Sequence, residues 1–359
     1  MSSLDVMFFM NELKLLIDGR IQKIYQNDKR IRIEIFCPGK GTFELYFEPG
    51  MMFISEYKRK FDEPGNFAMF LRKHVQNEKI INIRQKDFDR IVEIETESYI
   101  LILEAFSKGN AILCYKDYKI LMALQNQEWK HRTIRPGLKY EYPPPVKNPF
   151  TISFDEFQNM INEREIVRFL ATDMSLSGVY AEEVCIRAKV EKTKIGNQLS
   201  HEEAERLFKH MQHLKDEFGP QIVIDGEKII DAVPFDMKFY EGKEVLRTTT
   251  FTHALDEFYS KAEEIRSEVE QGSKTEKKLD KLRNMADAQK NQIERLEVEE
   301  KVVREQAEKT FNNIDKINMI IHEMEKMKKE KISWNEIKER MKDRVKLIDE
   351  KKGKIILDL

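Results

Sequence analysis

Asp89 and Arg90 are the neighbouring residues whose side chains could together recognise a nucleic acid. A carboxylate accepts hydrogen bonds from an exocyclic amine on a base edge, and a guanidinium grips phosphate or stacks on a base. In a strand that begins at Arg90, alternation places Arg90 on the face of Val92 and Ile94 and Asp89 on the other side. This predicts an Arg90 anchored by the fold beside an Asp89 presented to a ligand. A structural ion pair, for example with Glu104 on the next strand, is the alternative.

A second candidate segment interleaves basic and aromatic residues between positions 129 and 142. Its basic residues are Lys130, His131, Arg132, Arg135 and Lys139, and its aromatic residues are Trp129, Tyr140 and Tyr142. A single-stranded nucleic acid needs both types, because cations neutralise its phosphates and aromatic rings stack on its bases. Three prolines at 143–145 then impose an extended path. A rigid interdomain linker with solvated charges is the alternative interpretation.

The turn before a predicted helix at 178–188 is a third candidate, with Ser175, Ser177 and Gly178. Backbone N–H groups at a helix start can hold a phosphate. Arg187 and lysines 189, 192 and 194 follow downstream. Helix-hairpin-helix modules use such a geometry on a nucleic-acid backbone without recognising its sequence. A plain helical subdomain fits the same spacing.

The elements that position these residues are helices and short alternating strands. We expect a helix over residues 1–20 with Ser3 as its N-cap, and strands within 20–57. A helix at 64–75 and strands within 80–117 follow. Ser153 and Ser200, each with a glutamate three residues later, predict further helix starts. Strands at 221–226, 228–233 and 237–242 are expected to complete a sheet begun earlier, which makes the fold α+β.

From His253 the sequence predicts one long helical run. Its apolar residues follow alternating steps of three and four from Leu279 to Met324, which is a heptad seam. The stretch from Leu255 to Lys331 would span roughly 110 Å as a helix. Because so long an apolar stripe does not stay in water, either two copies pair as a homodimer or a returning helix lies outside this sequence. A short helix within 332–348, capped by Ser333, and one strand within 351–359 are expected after it.

The composition excludes several classes of function. The net charge is −2 and 35% of the 359 residues are charged, so any nucleic-acid contact must come from a local patch. Cys37, Cys114 and Cys185 lie far apart with no Cys/His cluster, so we expect neither a metal nor a cofactor. Scattered thiols, no signal peptide and no apolar run of ~18 residues predict a cytoplasmic protein. No catalytic constellation or phosphate loop indicates an enzyme.

The order and spacing of several segments carry a family resemblance. They are LDVMFFMNELKLLIDGRIQKIYQ, PGNFAMFLRKHV, DFDRIV, GNAILCY, RTIRPGLKYEYPPP, SLSGVYAEEVCIRA, IVIDGEKIIDAVPFDM and THALDEFYSKA. Together they resemble the NFACT-domain family of RqcH- and NEMF-type ribosome quality-control factors, also labelled fibronectin-binding protein A-like. The resemblance implies a domain at 1–146 similar in fold to formamidopyrimidine-type DNA glycosylases and a helix-hairpin-helix module at 147–217. It further implies a returning β segment at 218–252, a coiled-coil arm at 253–332 and the start of its tip at 333–359.

The resemblance also implies a function. Such factors bind the large ribosomal subunit carrying an obstructed peptidyl-tRNA and recruit charged tRNA, alanyl-tRNA in prokaryotes, to add a C-terminal tail. The peptide-bond chemistry belongs to the ribosome. The family's tRNA-binding trio maps onto Asp5, Asp89 and Arg90, with structural stabilisation as the alternative for Asp5. Further RNA-backbone contacts are expected from Arg72, Lys73, Lys130, Arg132, Arg135, Ser175, Ser177, Gly178 and Arg187.

Two other functions stay open. A glycosylase-like fold would suit a DNA-processing enzyme, but those enzymes begin with a proline nucleophile followed by glutamate, whereas this chain begins Met1-Ser2-Ser3. A coiled-coil scaffold or surface adhesin is the other, and it would need unconventional export. Family members continue with the second half of the coiled coil and an RNA-binding domain, so we expect this chain to be C-terminally truncated.

Overall fold

The computed structural model describes residues 1–57, 65–349 and 354–357, without the side chains of 262–280. The chain forms two units, Met1–Arg266 and Ser267–Leu359. Within the described ranges, no helix combines the length and the apolar character needed to cross a bilayer.

The first helix begins one residue earlier than predicted. Helix α1 spans Ser3–Leu13 and continues as a 3-10 turn at Lys14–Leu16. Its N-cap is Ser2, whose hydroxyl accepts from the Asp5 N–H at 3.1 Å while the Asp5 carboxylate accepts from the Ser2 N–H at 2.6 Å. This reciprocal pair needs a spacing of three residues, which Ser2 has and Ser3 lacks. The prediction of Ser3 as the cap is therefore wrong.

Two antiparallel meanders follow, each with its strands in chain order. The first sheet contains β1 (Arg20–Asn27), β2 (Arg30–Cys37), β3 (Gly41–Glu48) and β4 (Met51–Ser55). Helix α2 (Asn66–Val75) leads into the second sheet, which contains β5 (Ile80–Gln85), β6 (Ile91–Thr96), β7 (Tyr99–Glu104), β8 (Ala111–Tyr115) and β9 (Ile120–Ala123). The predicted helix and strands of this region are confirmed to within two residues at each end, whereas β9 was not predicted.

The second sheet is buried on both faces. Val92 and Ile94 of β6 join the large core together with residues of α1 and α2. Ile91 belongs to a separate apolar cluster on the other face. A two-stranded ribbon of β10 (Gln127–Glu128) and β11 (Thr133–Ile134) lies before Tyr140 in the chain. Tyr140 belongs to this second cluster and is only 3% exposed, so the segment after the ribbon covers that face of the sheet. The segment at 129–142 thus packs on the sheet.

A helical module and a third sheet complete the first unit. The helices are α3 (Phe154–Met160), α4 (Ile166–Arg168, followed by a π turn at Phe169–Asp173), α5 (Gly178–Ala188) and α6 (His201–His213). The predicted capping boxes at Ser153 and Ser200 are confirmed. Strands β12 (Gln221–Asp225), β13 (Lys228–Val233) and β14 (Glu244–Arg247) follow.

Two predictions for this last segment are wrong. Residues 238–240 form a 3-10 turn rather than a strand. Strand β12 pairs with β13 on one side and β14 on the other, so the three make a separate sheet and add no strand to an earlier one.

The long helical run is divided. Helix α7 spans Phe251–Asn312 and α8 spans Ile314–Lys329, with a break at Asn313 that the heptad pattern does not predict. Four residues of the predicted seam are between 56% and 63% exposed: Leu282, Ile293, Leu296 and Val303. The side chain of Leu279 lies outside the described residues. Pairing of this stripe with a second copy stays a prediction.

The last elements differ in part from expectation. Helix α9 spans Trp334–Arg340 and is capped by Ser333, as predicted. Strand β15 (Val345–Asp349) then pairs with β16 (Lys354–Leu357) in a hairpin. The prediction that 345–348 continues a helix is wrong, because these residues find a strand partner in β16. Residues 351–353 and 358–359 of the predicted terminal strand lie outside the described residues.

Candidate nucleic-acid interface

Asp89 and Arg90 lie in the tight connection between β5 and β6 rather than in a strand. The Asp89 N–H donates to the Lys86 carbonyl at 3.0 Å, and Asp87 has a φ of +50°. Strand β6 starts at Ile91. Strand alternation therefore does not extend to Arg90. The backbone conformation of the turn sets the directions of the Asp89 and Arg90 side chains.

Gln85 connects this turn to the start of helix α1. Its Nε2 donates to the Asp89 carbonyl at 2.8 Å and to the Ser3 carbonyl at 3.0 Å. The Asp5 carboxylate is held nearby in the same helix: one oxygen belongs to the capping box, and the other accepts from the Tyr180 hydroxyl at 2.5 Å. The structure thus brings the beginning of α1 to the turn but fixes Asp5 within the fold.

Asp89 is well buried. Its exposed fraction is 9%, and its Oδ1 accepts from the Arg90 N–H at 2.8 Å. Burial raises the pKa of the Asp89 carboxyl, while the backbone N–H of Arg90 and the charges of Arg90 and Arg132 oppose that rise. The prediction of a presented Asp89 is therefore wrong, because its short side chain folds back onto the turn.

The guanidinium of Arg90 lies over the ring of Phe106, 4.9 Å from the ring centroid. Across the part of the chain that the structure describes, no carboxylate lies within 4 Å of this guanidinium. Glu104 binds Arg132 instead, at 2.6 Å, so the alternative of an Arg90–Glu104 ion pair is wrong. A partly exposed guanidinium resting on an aromatic ring keeps its N–H donors available for an anion.

A cavity of about 360 Å³ adjoins Phe106, and we call it the Trp129 cavity. It is lined by aromatic, proline and basic side chains, namely Phe106, Ser107, Lys108, Trp129, His131, Arg132, Tyr142, Pro143 and Pro144. Two cation–π contacts order its wall: the Arg132 guanidinium lies 4.5 Å from the Trp129 ring centroid, and Lys86 Nζ lies 5.0 Å from that of Tyr142. The cavity therefore combines stacking surfaces with positive charge.

Two buried glutamates hold this wall from beneath. Glu104 has no exposed area and accepts from Arg132 at 2.6 and 3.2 Å and from the Tyr140 hydroxyl at 2.7 Å. Glu93, 1% exposed, accepts from the Tyr142 hydroxyl. Burial and these carboxylates raise the pKa of both tyrosines. The role of Glu93 was missed by sequence reasoning, although a glutamate inside a largely apolar strand was a signal for it.

Arg187 is committed to partners within the fold. Its side chain is 11% exposed, pairs with the fully buried Glu183 and donates from Nη2 to the Asp236 carbonyl at 2.8 Å. Arg132 is held in the same manner by Glu104. Both guanidiniums are held by carboxylates of the protein, and RNA-backbone contacts by either of them stay a prediction.

The other predicted cations are more accessible. Lys73 and Lys130 are exposed, and the side chain of Arg135 is 58% exposed. Arg72 is half-buried, and its Nε donates to the Ile24 carbonyl at 2.6 Å. RNA-backbone contacts by these residues stay a prediction.

The turn before α5 has unusual backbone angles. Ser175 and Ser177 have φ values of +56° and +72°, and helix α5 begins at Gly178 without a side-chain cap. A phosphate site there stays a prediction. Among the described residues, no three His, Cys, Asp or Glu side chains gather as a metal site would require.

The family of the chain follows from comparison with known proteins. A model of the NFACT N-terminal and middle domains matches residues 2–354. The chain therefore belongs to this family, and the expected membership is confirmed. The Archaeal Rqc2 homolog aRqcH of Methanocaldococcus jannaschii is 30% identical over 397 residues, which cover 100% of this chain and 58% of the relative. The human Ribosome quality control complex subunit NEMF is 21% identical over 94% of this chain and 35% of its own length.

Solved structures show a shared fold. The crystal structure of the fibrinogen binding protein from Staphylococcus aureus superposes with a TM-score of 0.62 at 20% identity, over 72% of this chain and 98% of that one. The N-terminal part of the fibronectin/fibrinogen-binding protein from Streptococcus suis gives 0.59 at 22% identity. The α+β class is confirmed, while the likeness to formamidopyrimidine-type glycosylases stays a prediction. The chain spans little more than half the length of the archaeal relative.

Proposed function

We propose that this chain is a ribosome quality-control factor that binds the large ribosomal subunit carrying an obstructed peptidyl-tRNA. It recruits tRNA, alanyl-tRNA in a prokaryotic host, for C-terminal tailing of the stalled chain. Family membership supports this proposal, as do relatives named as Rqc2 homologues and ribosome quality control subunits. The chain's part is to position tRNA, and peptide-bond formation belongs to the ribosome.

The observation that carries this proposal is the guanidinium of Arg90. It rests on Phe106 without a carboxylate partner among the described residues and lies beside a cavity with a basic, aromatic wall. A guanidinium in this setting can contact a phosphate or stack on a base. Asp89 lies in the same turn, where the charge of Arg90 opposes the rise that burial causes in the pKa of the Asp89 carboxyl.

The surroundings favour a polyanion. Lys108, Lys130 and His131 are exposed, two of them on the cavity wall, although the whole chain carries a net charge of only −2. The lining of the cavity thus carries basic side chains and no carboxylate. Because phosphate contacts release counterions, tRNA affinity should fall steeply as salt concentration rises. An affinity that stays constant from low to high salt would count against this interface.

The test is tRNA recruitment by a double variant, Asp89→Ala with Arg90→Ala. We expect the folded double variant to lose tRNA in a pull-down, with circular dichroism and urea unfolding confirming its fold. Arg168→Ala is the matched control, because Arg168 is 73% exposed in the helical module and, among the described residues, pairs only with the nearby Glu165. A folded double variant that recruits tRNA as well as the control would refute the proposal.

A further inference from the structure

We propose that the Trp129 cavity binds one unstacked nucleobase from a single-stranded segment of RNA. This inference rests on the proposed function for the kind of partner, but it concerns a binding site distinct from the Asp89–Arg90 turn. Its support comes from the wall, the size and the charge of the cavity.

The wall offers a preorganised stacking surface. Trp129 is 37% exposed although tryptophan is usually well buried. Its ring is held by the Arg132 guanidinium 4.5 Å from its centroid, and Arg132 is in turn fixed by two hydrogen bonds to Glu104. Because these contacts exist within the protein, a base that stacks on Trp129 does not have to order the ring first.

The size of the cavity is sufficient for one nucleobase. Its volume of about 360 Å³ lies near the lower limit of small-molecule sites in proteins. Bases inside an A-form helix are stacked and paired, so they cannot enter such a cavity without leaving the helix. Loops, bulges and ends present bases that are already splayed out. The cavity therefore favours single-stranded RNA over duplex RNA.

The charge of the lining agrees with a base that carries phosphates on both sides. Lys108, His131 and Arg132 are basic, and none of the nine lining residues is acidic. Lys130 is exposed beside Trp129, and Arg90 lies on Phe106 at the edge. The exposed Lys108 and Lys130 would attract the phosphates that flank a nucleobase, and an uncharged aromatic ligand would lack this charge–charge attraction.

Tryptophan fluorescence tests this binding directly, because the chain has only two tryptophans, Trp129 and Trp334. In the Trp334→Phe chain, Trp129 is the sole tryptophan, and its indole can be excited selectively over the tyrosines. A short single-stranded RNA should quench its emission in a saturable manner. An abasic oligonucleotide of equal length and charge, and the same RNA annealed as a duplex, should bind roughly tenfold more weakly and quench little. Equal quenching and affinity with the abasic strand would overturn the inference.

A second measurement uses variants of the cavity. Trp129→Ala should weaken binding of the single strand roughly tenfold or more, and Trp129→Phe should lose less because it retains a ring. Leu138→Ala is the matched control, since Leu138 is 45% exposed on the same segment and does not line the cavity. A folded Trp129→Ala chain that binds single-stranded RNA like the control would overturn the inference.

The two proposals fail in different experiments. If Asp89→Ala with Arg90→Ala leaves tRNA recruitment intact, the proposed function fails, but base-dependent quenching of Trp129 would still establish the cavity as a nucleobase site. If quenching does not depend on the base while the double variant loses tRNA, the cavity inference fails and the proposed function stands.

Discussion

The carboxylate of Glu104 holds the guanidinium of Arg132 by two hydrogen bonds of 2.6 and 3.2 Å, beneath the Trp129 cavity. The two side chains are 0% and 10% exposed. Glu104→Gln should lower the free energy of unfolding by about 3–5 kcal/mol, because Arg132 would stay charged and buried without its counter-charge. Urea unfolding measures this difference.

A surface pair on the same sheet provides the control for that variant. Glu95 binds Lys116 at 2.8 Å, with side chains 30% and 38% exposed. Glu95→Gln should cost under about 1 kcal/mol, because water screens an exposed pair. Similar losses in both variants would show that Glu104 has no special structural role.

Asp89→Asn is expected to stabilise the fold at neutral pH. Burial raises the pKa of Asp89 above its ordinary value of 3.8, so ionisation of this carboxyl costs more in the folded chain than in the unfolded chain. That cost is absent below the unfolded pKa and fully present once the pH exceeds the folded pKa. Asparagine removes the cost while its Oδ1 can still accept from the Arg90 N–H.

The measurement for Asp89→Asn is the free energy of unfolding as a function of pH. The gain over the parent chain should be smallest in acid and should grow as the pH rises towards neutrality. Asp87→Asn, in the same turn but with a side chain 51% exposed, controls for the change of side chain. A gain for Asp89→Asn that does not change with pH would contradict the effect of burial.

The Asp5 carboxylate has two structural partners, so we expect its removal to lower the free energy of unfolding more than the loss of one hydrogen bond would. Asp5→Ala removes the carboxylate from the α1 capping box, which costs about 0.5–2 kcal/mol. It also leaves the hydroxyl of the buried Tyr180 without an acceptor, for about 1–3 kcal/mol more. Thermal and urea unfolding would show this loss.

A matched capping box separates the two contributions. Glu156 makes the same reciprocal bonds with Ser153 in α3. Glu156→Ala should therefore destabilise the chain less than Asp5→Ala. Tyr180→Phe combined with Asp5→Ala should recover part of the loss, because the unsatisfied hydroxyl is then gone. If Asp5→Ala and Glu156→Ala cost the same, the bond to Tyr180 contributes nothing measurable.

Most helices and strands of the first 115 residues could be predicted from the sequence, because the patterns that specify them lie within each segment. Apolar alternation and turn residues such as Asn27-Asp28 determine the hairpins. The directions of the Asp89 and Arg90 side chains were predicted wrongly, because the alternation of strand β6 was extended into the turn that precedes it. Where β6 begins depends on its pairing with β7, since Ile91 lies opposite Glu104, and the residues of β6 alone do not contain that information.

The candidate site was predictable in its parts but not in its assembly. Basic and aromatic residues at 129–142 indicated nucleic-acid contacts, and the side-chain chemistry of Asp89 and Arg90, with the family resemblance, singled out that pair. Nothing local linked the two. The buried glutamates make the link across the chain, since Glu104 binds Arg132 28 positions away and Glu93 binds Tyr142 49 positions away.

Glu12 at the end of α1 caps the start of α7, 239 residues further along the chain. Its carboxylate accepts from the N–H groups of Phe251 at 2.6 Å and Thr252 at 2.7 Å. Glu12→Ala should destabilise this first turn by about 0.5–2 kcal/mol, because two helical N–H groups lose their acceptor. Hydrogen exchange at those two amides should accelerate, and Glu12→Gln, which keeps one acceptor oxygen, should have a smaller effect. Glu34 lines a surface cavity together with Glu12, and Glu34→Ala should leave the exchange unchanged. Equal acceleration in both variants would show that loss of local charge, not of the cap, loosens α7.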